Sequence, residues 1–149
     1  MGIRAVMIGY AEDDLQSIFK KIQSTSGATY TTIHDSPPKK DERVSRSYGT
    51  ISNTQSGDSL FIIAHGDGNE WGSSDSTVGI KQSEMVDFMA RTVSDGATVL
   101  LCICASIEGG KSLKKLRPNI TVWAADGTPA LSWTGSGISD STGKFKECK

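Results

Sequence analysis

Two residues of this sequence stand where chemistry is most easily done. His65 follows the apolar run Leu60-Phe61-Ile62-Ile63-Ala64, and Cys104 follows Thr98-Val99-Leu100-Leu101-Cys102-Ile103, so each closes a stretch with the composition of a buried strand. A thiol attacks a carbonyl carbon as its thiolate and needs a neighbour that accepts its proton, which an imidazole within hydrogen-bond reach does. Attack on an amide also needs donors for the oxygen that becomes negative. Gly66, with no side chain in the way, lets a backbone N–H approach the reacting carbonyl, and the N–H of Cys104 is a second donor. No acidic third member is evident by spacing. Asp67 and Asp126 fall in loops on the same predicted edge and are candidates for it or for a substrate-binding wall, as is Trp71 in the Gly/Ser-rich stretch after His65.

For His65 and Cys104 to meet, their two apolar runs must be neighbouring strands pointing the same way. The rest of the sequence supplies the parts. Ile3–Ile8 reads as a buried strand, and residues 11–22 place Leu15, Ile18, Phe19 and Ile22 at helical spacing, with Gly27 as a stop. Residues 29–34 suit a second strand. From Asp35 to Asp58 there is no periodicity, Pro37 and Pro38 break the chain, and the stretch reads as a long solvated loop with room for one short helix. Ser83 is placed to cap a helix carrying Met85, Val86, Phe88, Met89 and Val93, closed by Asp95-Gly96. Beyond Cys104, the basic segment 111–117 reads as a solvated helix face, residues 120–125 as a last apolar block, and the Gly/Ser/Thr-rich remainder as a hairpin. Trp123 is expected in the core. Strands alternating with helices predict an α/β fold: an open, mostly parallel sheet flanked by helices, with a small C-terminal antiparallel extension. Catalytic groups collect at the carboxyl ends of such strands, where both His65 and Cys104 fall.

Composition narrows the function classes. The chain has 149 residues, 16 Lys+Arg against 17 Asp+Glu, and a formal charge of -1, so residues 1–149 are read as one domain with no field to hold nucleic acid or an anionic membrane. No apolar run approaches the roughly 20 residues of a spanning helix and the first residues lack a signal-peptide layout, so a cytoplasmic location is expected, delivery as an effector without a cleaved signal being the alternative. The 3 cysteines are too few for a disulfide scaffold. Cys102 is read as core, and Cys148 as exposed and incidental.

The order of parts, hydrophobic strand, His-Gly, helix, hydrophobic strand, Cys, small residue, resembles clan CD cysteine peptidases, the group of caspases, clostripain, gingipains and separase. The residues that carry the resemblance are 60–66 and 99–106, within a pattern spanning about residues 59–127. It looks nearest to the compact cysteine protease domains of bacterial toxins. The resemblance implies a caspase-like fold, with His65 as catalytic histidine, Cys104 as nucleophile and Gly66 as oxyanion donor, and an endopeptidase that cleaves a protein substrate or its own precursor. The toxin domains are activated by inositol hexakisphosphate on a basic C-terminal surface. Here about 20 residues follow Asp126 and the lysines cluster at Lys111, Lys114 and Lys115, so that activator is not expected. No cofactor is expected. The partners are a protein or peptide substrate, with a protein activator left open.

Other readings use the same residues. A pseudoenzyme or adaptor of the same fold would bind an extended peptide without turning it over. A doubly wound domain of the flavodoxin type is disfavoured because no phosphate loop follows the first strand. A zinc site of Cys102, Cys104, His65 and His34 lacks the usual paired loop spacing, and His34 is more simply a surface turn residue.

Overall fold

A computed structural model describes residues 2–9, 16–25, 28–33, 40–73, 78–135 and 137–149. Apolar runs become the central strands and amphipathic segments the helices on either side. In chain order these are β1 (Ile3–Ile8), α1 (Gln16–Gln23), β2 (Ala28–Ile33), α2 (Lys40–Ser52), β3 (Ser59–Gly66), β4 (Glu70–Gly72), β5 (Gly79–Lys81), α3 (Gln82–Thr92), β6 (Thr98–Ile103), α4 (Ile107–Leu116), β7 (Thr121–Ala125), β8 (Leu131–Trp133), β9 (Ile138–Asp140) and β10 (Phe145–Cys148). The sheet runs β10-β7-β6-β3-β1-β2. Along this path β1, β2, β3, β6 and β7 are parallel, and β10 closes the β7 edge antiparallel, while β4 and β5 branch antiparallel from the end of β3. This is the open, mostly parallel sheet flanked by helices that the alternation of strand and helix predicts, with the expected antiparallel extension in β8, β9 and β10.

The middle strands are apolar at nearly every position because both faces are covered. Val6, Ile8, Leu60, Ile62, Val99 and Leu101 pack with Ile51 of α2, with Met85, Val86 and Met89 of α3, and with Leu113 of α4. Ala5, Met7, Phe61, Ile63 and Cys102 pack on the other face with Phe19 and Ile22 of α1 and with Leu131, Trp133 and Ile138 of the β8–β9 hairpin. At the amino ends of the strands, Asp58 ties three of them together. Its carboxylate accepts from the N–H of Gly2 at 2.7 Å and of Gln55 at 2.9 Å, and pairs with Arg4 at 3.4 Å, while its carbonyl accepts from Thr98.

Four expectations need correction. The stretch before Asp58, expected as a long loop with room for one short helix, holds a thirteen-residue helix, α2, in which Ser47, Thr50 and Ile51 are buried among the described side chains. Trp71 lies in a strand, β4, which pairs with the end of β3 and then with β5. Cys148 is buried, not exposed, beneath α4. There the interior glycines of α4 admit close neighbours: a Cβ at Gly110 would lie 2.8 Å from Cys148 Sγ, and one at Gly109 2.6 Å from the Gln82 side chain. Trp123 is only half-buried, stacked on Phe145 with ring centroids 5.8 Å apart. The predicted residues Leu15, Gly27 and His34 lie outside the described residues.

Candidate active site

The register of the central strands decides where the imidazole of His65 and the thiol of Cys104 fall. β3 and β6 are parallel neighbours with Ala64 opposite Ile103, so His65 and Cys104 are the next residue on each, at the carboxyl edge, on strands roughly 4.8 Å apart. Alternation along β3 carries His65 to the face of Phe61 and Ile63, and alternation along β6 carries Cys104 to the face of Cys102. Both residues are partly accessible, while every apolar residue of the two strands before them except Leu100 is buried.

Cys104 sits in a sharp turn from β6 into α4. Ala105 has φ of 54°, the left-handed region that costs a side-chain-bearing residue about 1 kcal/mol or more. The turn is held from two sides: the Ala105 N–H donates to the Gly127 carbonyl at 2.9 Å, and the fully buried Ser106 hydroxyl donates to the Ile103 carbonyl at 2.7 Å. The same hydroxyl accepts from the Ala125 N–H at 3.0 Å, fastening the end of β6 to the end of β7. Ser106 precedes α4 without capping it; its oxygen is directed back into the turn. Sequence reasoning passed over Ser106, although a serine two residues after a strand-end cysteine and just before a helix was a signal to examine.

Gly66 lies directly against this turn. A Cβ there would come within 2.5 Å of the Cys104 carbonyl oxygen and of Ile103 Cγ2, so no other residue fits without displacing the cysteine. Beneath it is Trp71, fully buried, whose Cδ1 is 3.5 Å from that same Cβ position. Trp71 therefore does not line a substrate cleft as its loop-like sequence context suggested. Its indole N–H donates to Gln82 Oε1 at 3.2 Å, and the Gln82 amide donates to the Gly68 carbonyl at 3.3 Å. Gln82 thus clasps the turn after His65 to the start of α3, a role its sequence position did not announce.

The two carboxylates singled out from sequence do different things. Asp67 caps its own turn, accepting from the N–H of Asn69 at 2.8 Å and of Glu70 at 2.9 Å, and these hydrogen bonds hold its carboxyl below the ordinary range. It lines a small cavity of about 180 Å³ with His65, Gly66 and Ser73. Asp126 is exposed beyond β7, 3.9 Å from the Lys146 ammonium, and lines none of the cavities described around His65 or Cys104. A second cavity, of about 100 Å³, lies against Cys104. The remaining thiols are withdrawn: burial pushes Cys102 up to about 12, and burial likewise raises Cys148.

No family model and no curated protein matches the sequence. Among solved structures, the chain is similar to a secreted C11 cysteine protease from Bacteroides thetaiotaomicron, determined in complex with an irreversible peptide inhibitor. The TM-score is 0.48 and the identity 12%, over 87% of this chain and 50% of that one, so the chain spans about half the length of that protease.

Proposed function

We propose that the protein is a cysteine endopeptidase in which His65 and Cys104 form the catalytic dyad. The observation that carries this reading is the register: an imidazole and a thiol occupy equivalent positions at the carboxyl ends of adjacent parallel strands, on one face, with the thiol on a strained turn. In the reaction, His65 takes the thiol proton, and Cys104 Sγ attacks the scissile carbonyl carbon. The tetrahedral oxyanion is received by the backbone N–H groups of Gly66 and Cys104. As the C–N bond breaks, His65 returns the proton to the leaving amine, giving a thioester that water then hydrolyses with His65 as base. Asp67, Asp126 and an activating protein partner have no assigned step.

The rival reading, a peptide-binding pseudoenzyme of the same fold, draws on the fact that His65 and Cys104 line different cavities among the described residues. Turnover separates the two. Purified protein incubated with a mixed peptide library and analysed by mass spectrometry should yield new termini, and both Cys104→Ala and His65→Ala should yield none. Cleavage that persists in Cys104→Ala contradicts the dyad. Peptide affinity without cleavage in the wild type favours the pseudoenzyme.

A further inference from the structure

A cavity larger than either of those beside the proposed dyad lies between α3 and α4. It measures about 490 Å³ and sits in the helical layer on the face of the sheet opposite α1 and Cys102, with the turn after β3 closing one end at Gly68 and Asn69. Spacing along the helices makes it a cleft: Gln82, Val86 and Asp87 fall on one side of α3, and Gly109, Ser112 and Leu116 recur at intervals of three and four on α4. Two kinds of chemistry meet there. Val86 is buried, while Leu116 is 56% exposed and is the large apolar side chain that, among the described residues, stays in water. Asp87 on α3 and Lys115 on α4 put opposite charges on the two walls, and neither has an ion-pair partner among the described residues. Such a cleft suits a molecule that is apolar in its body and carries an ammonium at one end and a carboxylate at the other.

We infer that the α3–α4 cleft binds a free dipeptide with aliphatic side chains, its ammonium on Asp87, its carboxylate on Lys115 and its side chains against Val86 and Leu116. The size agrees: about 490 Å³ is room for roughly 16 water molecules at about 30 Å³ each, and the dipeptide Leu-Leu has about 17 heavy atoms. A free amino acid carries the same two charges on about half the atoms and leaves much of the cleft wet. The site is separate from the dyad, since neither His65 nor Cys104 lines it, but Gln82 joins it to the turn after His65. The Gln82 side chain, in the wall of the cleft, accepts from the Trp71 indole N–H at 3.2 Å and donates to the Gly68 carbonyl at 3.3 Å. A molecule seated against Gln82 therefore changes the surroundings of the Trp71 indole.

Titrating the full chain, labelled with nitrogen-15, with Leu-Leu and following the tryptophan indole N–H signals by NMR tests this. Trp123→Phe and Trp133→Phe assign the other two signals and leave Trp71 by elimination. The Trp71 signal should move and saturate while those of Trp123 and Trp133 stay in place. Asp87→Asn and Lys115→Gln, both at exposed positions, should each raise the Kd about three- to fivefold, the scale of an exposed ion pair. The pairing is read by crossing protein with ligand: N-acetyl-Leu-Leu should bind wild type and Asp87→Asn alike, and Leu-Leu amide should bind wild type and Lys115→Gln alike. An absent or unsaturable shift, or a doubly blocked Leu-Leu that binds as well as the free one, overturns the inference. So does a blocked Lys-Leu-Leu-Glu that binds more tightly than Leu-Leu, which would show the cleft reading side chains of a longer segment. Cys104 takes no part in the readout, so failure here leaves the dyad standing, and an unreactive Cys104 leaves the cleft standing.

Discussion

Ala105 pays a conformational penalty that a glycine would not, and it does so next to the proposed nucleophile. Strain at such a place persists only when the surroundings over-determine it, which the Gly127 carbonyl and the Ser106 hydroxyl do here. Ala105→Gly should therefore stabilise the fold by up to about 1 kcal/mol in urea denaturation while slowing the reaction of Cys104, because the turn loses its single geometry. A loss of stability would show that the left-handed turn carries no penalty. Ser106→Ala removes a fully buried hydroxyl and leaves the Ala125 N–H without its partner, at a cost of about 1–3 kcal/mol by the same measurement. Gly66→Ala forces a methyl into the Cys104 carbonyl. We expect peptide cleavage to be lost and stability to fall by about 1–3 kcal/mol; an unchanged melting transition would mean that the β3 end moves aside freely.

At the scale of elements, the carboxyl ends of β3 and β6 place the proposed dyad and Asp58 ties their amino ends. Burial pushes the Asp58 carboxyl up, but hydrogen bonds from the Gln55 and Gly2 backbone and from Arg4 outweigh it and hold the group below its ordinary range. A carboxyl depressed in the folded state stabilises fully above its unfolded value of about 3.9, and that contribution is lost as pH falls through the folded value. Asp58→Asn should thus lower stability at neutral pH and flatten the acid limb of a stability-versus-pH curve; an acid limb identical to wild type would place the acid sensitivity elsewhere. The elements that matter most were legible in the sequence. Leu60 to Ala64 and residues 98–103 are continuous apolar runs because both faces of a central parallel strand are buried, and such runs announce themselves. α2 was hidden because the sequence from Lys40 to Ser52 is mostly polar and shows no apolar stripe; among its described side chains, Ser47, Thr50 and Ile51 are the buried ones. β4 and β5 were hidden because three residues are too few to show alternation. Trp71 was misplaced for the same reason: its burial is decided by Gln82 and Gly66, partners that become neighbours only after folding.

Across the whole molecule, three thiols occupy three different environments, and this makes the proposed dyad directly accessible to experiment. Cys102 is sealed between β6 and α1 with its ionisation pushed up to about 12, and Cys148 is buried under α4, whereas Cys104 is partly accessible at the sheet edge beside His65. Thiolates alkylate and thiols do not, so burial predicts silence from the first two in the folded state. The measurement that bears most directly on the central claim is the rate of iodoacetamide labelling at each cysteine as a function of pH, read by peptide mass spectrometry in wild type and in His65→Ala. An ordinary thiol ionises near about 8.5 and labels little in mild acid. We predict that Cys104 of the wild type is labelled rapidly at mildly acidic pH, that Cys102 and Cys148 are not, and that His65→Ala abolishes the rapid reaction while the fold is retained. Slow labelling of Cys104 with the same pH profile in both proteins would contradict the dyad.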